Sequence, residues 1–369
     1  MLRLEPRQGP SRVMSYASPL IAVGLTLVTG YLLFSLLGKN PTQAFYVFFV
    51  KPLETRYGAG ELFLKATPLM LCATGLALGF RANVWNIGAE GQLVLGAIVG
   101  GGIALLFPDV HGAWLLPVMV IGGVLGGMAW AAIPAFLRVR FHTNEILVSL
   151  MLVYVAKLLL SYLVHGPWRD PEGYNFPQSR MFQEAALLPA LVEGVRTTWA
   201  FAMALVLAGL SWLFAEKTFA GFRLKVSGLA PGAASYAGFS EKRNVWLALL
   251  IGGATAGLAG IAEVAGPIGQ LQPAVSPGYG FAAIIVAFVG RLHPLGVVLA
   301  SVLMSLLYLG GETAQIHLAL PSAVTGVFQG LLLFYLLAAD LFIHFRPRWS
   351  PLQPAAAPEA GALAGSDAA

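Results

Sequence analysis

Four ionisable side chains stand within or at the edge of apolar stretches, and the chemistry open to each depends on what surrounds it: Glu90, Glu145, Lys157 and Glu263. Glu90 belongs to the run Phe80-Arg81-Ala82-Asn83-Val84-Trp85-Asn86-Ile87-Gly88-Ala89-Glu90-Gly91-Gln92, too polar for lipid and too apolar for an ordinary solvated loop. In a bilayer a carboxylate or amide is costly unless it faces a cavity or a partner. Asn83, Asn86, Glu90 and Gln92 therefore either line a passage or bond backbone groups freed where a helix is interrupted. Lys157 lies in the outer half of its apolar stretch, where it either snorkels outward or faces a polar path. Glu145 follows Thr143-Asn144 at a helix start, where a carboxylate suits the positive end of the dipole. Glu263 stands just before Gly266-Pro267, near the outer end of its stretch, a place that suits the interface.

Other chemistries find no residues to carry them. There is no Gly-x-x-x-x-Gly-Lys-Ser/Thr to cradle phosphate, so this chain does not hydrolyse nucleotide through such a loop. His111, His142, His165, His293, His317 and His344 show no i, i+4 pairing, which argues against a metal cluster or a histidine-based triad. No Gly-x-Ser-x-Gly elbow is present. Cys72 is the single cysteine, so one chain can form neither a disulfide nor a thiolate metal site.

The elements that must position these residues are membrane spans. The 369 residues are 57% hydrophobic and 11% charged, with a mean hydropathy of +0.76, far from the values of soluble domains. Apolar runs of bilayer length fall near 19–37, 62–79, 86–106, 114–136, 146–164, 197–215, 245–263, 294–311 and 322–343, with a shorter one at 281–290. The short one reads as a broken helix packed within protein, so the expected fold is an all-α polytopic membrane protein of about ten transmembrane helices. Arg3, Arg7, Arg12, Arg81, Arg138, Arg140, Lys217, Arg223, Lys225, Lys242, Arg243, Arg291, Arg346 and Arg348 then share one side, which places both termini in the cytoplasm. The formal net charge of +5 is thus a topology signal, and its scattered basic residues give no nucleic-acid surface.

The expected organisation is a cytoplasmic N-terminal segment over 1–18, a transmembrane domain over 19–345, and a disordered cytoplasmic tail over 346–369, rich in Ala and Pro from Ser350 onward. An external loop over 165–198, with four prolines, Trp168, Tyr174 and Phe176, is either a lid on the outer face or a docking surface. A cytoplasmic loop over 216–243 contains Pro231, suited to the first turn of a short helix, and Gly238, suited to a left-handed cap. Such a helix could lie in a partner's groove. The second to fifth and seventh to tenth spans run in opposite senses, each set with a glycine-punctuated break near 83–92 or 266–296, a weak mark of an inverted repeat.

Four ordered blocks carry a family likeness: Phe80 through Gln92, Thr143-Asn144-Glu145-Ile146, Thr218 through Gly238, and Gly278-Tyr279-Gly280-Phe281 through Gly290-Arg291-Leu292-His293-Pro294-Leu295-Gly296. Over roughly residues 60–340 the chain resembles permease subunits of ABC importers of the branched-chain amino acid and ribose permease superfamily, in its nucleoside and simple-sugar branch. The resemblance implies a type II importer permease of the bacterial inner membrane, not an enzyme, with nucleosides as cargo and simple sugars as the alternative. It further implies a cytoplasmic ABC ATPase that uses ATP and Mg, a second related permease giving a heterodimer, and an extracytoplasmic substrate-binding lipoprotein. This chain itself would bind no cofactor. Coupling to the ATPase would fall to Gly221, Arg223, Gly228, Ala233, Ala234 and Gly238, although the family's Glu-Ala-Ala-x-x-x-Gly has Gly232 in place of the Glu. Asn83, Asn86, Glu90, Gln92 and Lys157 are the translocation-path candidates. A stand-alone transporter would instead need Glu90, Lys157 and Glu263 to carry a coupling ion, but no paired intramembrane acids accompany them.

Overall fold

The computed structural model describes residues 2–7, 9, 11–109 and 111–349. In chain order the helices are α1 (Arg12–Leu36), α2 (Pro41–Phe45), α3 (Arg56–Arg81), α4 (Ala89–Leu106), α5 (Leu115–Phe141), α6 (Glu145–His165), α7 (Trp199–Lys217), α8 (Phe219–Leu229), α9 (Pro231–Tyr236), α10 (Glu241–Glu263), α11 (Tyr279–Val289), α12 (Pro294–Leu318) and α13 (Ala323–His344). Among the described residues nine of these are long and apolar enough to cross a membrane: α1, α3 through α7, α10, α12 and α13. The chain is an all-α, multi-pass membrane protein.

Polar side chains fix several helix starts. Thr55, Asn144, Thr218 and Ser240 each accept a backbone N–H from the first turn of the helix that follows. At α6 the side-chain cap is Asn144, and Glu145 follows in the first turn, where the sequence placed its carboxylate. The first helix begins at Arg12 rather than near residue 19. Residues 41–53 fold into α2, a π turn and a 3-10 turn.

Contacts divide the described chain into two units. In the smaller, formed by the chain ends up to Thr29 and from Leu331, strand β1 (Leu2–Pro6) pairs antiparallel with β2 (Phe345–Trp349), Leu2 opposite Trp349. Residues 346–349 are thus strand, where disorder was expected; residues 350–369 lie outside the described residues. Ser18 Oγ donates to Asp340 Oδ1 at 2.7 Å, and Thr29 meets the Tyr335 hydroxyl at 2.7 Å.

The larger unit, Gly30–Gly330, holds the core. Its most buried long helices are α3, α4 and α10, whereas α5, α6 and α7 leave most of their surface exposed, with Leu147, Tyr154 and Leu158 outward on α6. Helix α10 lies against α4 and α5 along a glycine seam. A Cβ at Gly260 would strike the Leu93 carbonyl, one at Gly257 the Gly123 carbonyl, and one at Gly96 the Gly257 backbone. Backbone meets backbone there because lipid supplies no hydrophobic drive between helices, and close packing must replace it.

Two breaks shape this unit. Between α3 and α4 the chain runs without regular structure over 84–87. Between α10, which ends in a π turn (Val264–Ile268), and α11 the chain is irregular over 269–278. With 11 residues, α11 is roughly 16 Å long, about half a bilayer core. The expected eighth crossing is therefore an irregular stretch followed by a half-length helix.

Candidate functional site

The two breaks converge on Glu90. This residue lies in the first turn of α4 and is 0% exposed. Its Oε2 accepts the Gly280 N–H at 2.8 Å and the Ser276 hydroxyl at 3.0 Å. Ser276 Oγ in turn accepts the N–H groups of Gly278 and Tyr279 at 3.1 and 3.0 Å. The starts of α4 and α11 thus share one carboxylate, a favourable charge for two positive dipole ends. The approach requires glycine at 280, where a Cβ would strike the backbone of Glu90. Gly278, at φ 102°, sets the entry into α11.

Lys157 completes the cluster from α6. Its Nζ lies 3.2 Å from Glu90 Oε1, as a charge pair without hydrogen-bond alignment, and 5.7 Å from the centre of the Phe281 ring. The side chain remains 42% exposed. The sequence alternatives for these two residues therefore merge: Lys157 turns inward to Glu90, and Glu90 ties down the broken backbone.

Asn86 and Gln92 sit beside this cluster as a closed pair. Asn86 Nδ2 donates to Gln92 Oε1 at 2.8 Å, and Gln92 Nε2 returns a bond to Asn86 Oδ1 at 3.0 Å. Asn86 Oδ1 also accepts the Gly88 N–H at 3.1 Å, fixing the start of α4. With both side chains buried and satisfied, they hold the break in place. Asn83 belongs elsewhere: it is exposed at φ 55° and accepts the Trp85 indole N–H at 3.0 Å. Its grouping with the others in the sequence does not extend to space.

Beyond the break, Arg81 donates through Nε to the Leu292 carbonyl at 2.9 Å and pairs with Glu216 at 2.7 Å. This ties the end of α3 to the ends of α7 and α11. Glu145 pairs with Arg138 and accepts the Trp85 N–H at 3.3 Å, joining α5, α6 and the first break.

Helices α8 and α9 form a platform beside Arg81. Gly221 lies against the Phe214 and Ala215 backbone, and Gly228 against the Arg81 carbonyl. Arg223 and Ala234 are buried. Burial first, and then the charge of Arg243, push the Arg223 guanidinium below its ordinary pKa. Gly238 closes α9 at φ 79°, with the Phe239 N–H returning to the Ala234 carbonyl at 2.9 Å, and Pro231 is its first residue, as the sequence indicated. Of the residues expected to contact a partner, Gly221, Arg223, Gly228 and Ala234 thus pack on this chain, while Ala233 and Gly238 are exposed. The platform's exposed apolar residues are Phe219, Phe222, Leu229 and Tyr236, the last 99% exposed. The sequence signal was available: large apolar residues among basic ones in a loop.

On the opposite side, the loop between α6 and α7 is sewn to the second break. Ser179 N and Phe182 N donate to the Leu271 and Gly269 carbonyls at 2.9 and 2.8 Å, and Leu271 N donates to Ser179 Oγ at 2.9 Å. The lid reading describes these residues, whereas Tyr174, Phe176 and Met181 remain exposed. Replacing Ser179 by alanine strands the buried Leu271 N–H and is expected to cost about 1–3 kcal/mol locally. Faster hydrogen exchange across 269–278 than in wild type checks this; unchanged exchange there would show that the loop does not hold the break.

Residues 58–337 match the family described as branched-chain amino acid transport system / permease component. A glucose ABC transporter permease protein of Haloferax volcanii is 36% identical over 355 residues, 94% of this chain and 93% of the relative. A guanosine ABC transporter permease protein of Bacillus subtilis is 30% identical over 89% of this chain and 94% of its own length. A probable riboflavin import permease protein of Treponema pallidum is 26% identical over 89% of this chain and 85% of its own length. No solved structure shows significant similarity.

Proposed function

This chain belongs to the branched-chain amino acid transport system permease family, and from that premise we infer that it is the spanning subunit of an ATP-driven importer for a neutral, sugar-bearing or polyol-bearing solute. The carrying observation is the reach of the family match, which takes in both breaks, the Glu90 cluster and the α8–α9 platform. The chain is a transport subunit rather than an enzyme. Glucose, guanosine and riboflavin, the cargoes in the names of its relatives, differ in size and ring chemistry but share adjacent hydroxyls. Nucleosides fit that class, and simple sugars fit it equally.

The platform would receive a cytoplasmic ATPase, which binds ATP and Mg, and the face bearing Tyr174 and Met181 would receive a substrate-binding lipoprotein. A second, related permease would complete a heterodimer in the cell membrane, with the α8–α9 side cytoplasmic. Since a ligand biases only states it contacts differently, ATP closure must be felt at α8 and α9. Arg81, bonded to both Glu216 and Leu292, offers the route from there to α11.

The test is uptake by proteoliposomes containing the chain with its ATPase, second permease and binding protein, supplied with guanosine or glucose. ATP-dependent uptake is expected; gradient-driven uptake by this chain alone overturns the reading. Gly238→Val probes the coupling. At φ 79° a side chain costs ~1–2 kcal/mol, enough to shift α9 docking about ten-fold. Uptake should fall while ATP hydrolysis and membrane insertion persist. Wild-type uptake by this variant removes α9 from the coupling route.

A further inference from the structure

Apart from the Glu90 cluster, a cavity of about 360 Å³ opens between α3, the π turn after α10 and the start of α11. That volume lies within the roughly 300–1,000 Å³ of small-molecule sites. Its walls carry Glu61, Lys65, Arg196, Glu263, Gln272 and Tyr279. The two cations are already engaged: Arg196 Nη1 lies 3.3 Å from Glu61 Oε1, and Lys65 Nζ lies 2.8 Å from Glu312 Oε1. Arg196 is held further by the Pro267 carbonyl at 3.1 Å.

Glu263 is different. It is the last residue of α10, only 7% exposed, and makes no hydrogen bond or ion pair with any described residue. A carboxylate buried in a span without a partner is costly, and its oxygens can only accept. No donor of the cavity wall is bonded to it. A divalent ion would ask for several carboxylates, yet among the described residues no group of three or more possible ligands is gathered. An ammonium would meet Lys65 and Arg196. A neutral molecule with two adjacent hydroxyls would satisfy both oxygens without adding charge. The Tyr279 ring, 4% exposed and packed edge-on against Tyr308 with centroids 5.5 Å apart, gives a rigid apolar wall for a sugar ring.

We propose that this cavity is a transit site in which Glu263 accepts the adjacent hydroxyls of the cargo, a role that rests on the importer reading above. Tyr279 begins α11, whose next residue is bonded to Glu90. An occupant therefore sits on the helix start that the second break holds in place.

The experiment compares uptake of guanosine and its 2′-deoxy and 3′-deoxy analogues, or glucose and its monodeoxy analogues, by the complete complex carrying wild-type chain, Glu263→Gln or Glu263→Ala. Wild type should favour the intact diol by about 10- to 100-fold per hydroxyl; Glu263→Ala should bring that preference near the binding protein's own, and Glu263→Gln, whose amide oxygen still accepts one hydroxyl, should fall between. The binding protein is common to all three, so its selectivity cancels in the ratio. Thermal midpoints of the variants should equal or exceed wild type, because a buried carboxyl with no hydrogen-bond partner has been removed. An unchanged preference ratio, or a lower midpoint in both variants, overturns the assignment. Wild type moving no sugar- or polyol-bearing solute would instead sink the importer reading itself.

Discussion

Glu90→Ala is expected to destabilise the protein by about 2–4 kcal/mol, chiefly the cost of leaving the Gly280 N–H and the Ser276 hydroxyl without their acceptor, and to abolish uptake. Three groups lose their partner at once: the Gly280 N–H, the Ser276 hydroxyl and the Lys157 ammonium. Glu90→Gln separates their contributions. An amide oxygen can still accept from Gly280 and Ser276, so the start of α11 stays capped while Lys157 loses its counter-charge. The glutamine variant should fall between wild type and alanine in thermal midpoint, measured in lipid nanodiscs. Lys157→Met added to it should recover part of the loss, because the unpaired ammonium has then gone. Equal midpoints for the alanine variant and wild type would show that the carboxylate does not hold the two breaks together.

Gly257→Leu is the second large effect, expected to reach or exceed ~3 kcal/mol, the upper range for overpacking, and to leave little folded protein in the membrane. The Cβ would meet the Gly123 carbonyl and the Gly127 backbone. Those are main-chain atoms that no rotamer change can move aside. Gly209→Ala on α7 is the control. Nothing lies within 4 Å of a Cβ there, so alanine should stabilise the helix by up to ~1 kcal/mol. Comparable yields of folded Gly257→Leu and Gly209→Ala would mean that the seam gives way.

The sequence made the spans legible because each is a local property: some twenty apolar residues, ended by a cap, a glycine or a charge. The short eighth segment was legible for the same reason. The partners of Glu90 were not, since Ser276 and Gly280 lie far along the chain, in the second glycine-punctuated break. Asn83 shows the opposite error. It stands three positions before Asn86, but the left-handed turn at 83 aims it out of the cluster. The six coupling candidates divide in space: Gly221, Arg223, Gly228 and Ala234 rest on this chain, while Ala233 and Gly238 are exposed on the same platform as Tyr236 and Leu229. Glu61 and Lys65 share α3, but Glu263 comes from α10 and Arg196 from the loop before α7, so their shared cavity left no pattern in the sequence.

The shared carboxylate also imposes an order on how the chain is made. Ribosomes deliver Glu90 to the membrane before any of its partners. Lys157 emerges next, and the pair at 3.2 Å can form as soon as α6 is in place. Ser276 and Gly280 follow only after α7 through α10 have been synthesised. For that interval α4 must be retained with an ionisable residue whose helix-start partners do not yet exist, an unfavourable placement within a span. Lys157 is then the chaperone of Glu90 during biogenesis, and nascent chains halted before residue 276 should hold α4 in the bilayer with Lys157 and release it with Lys157→Met.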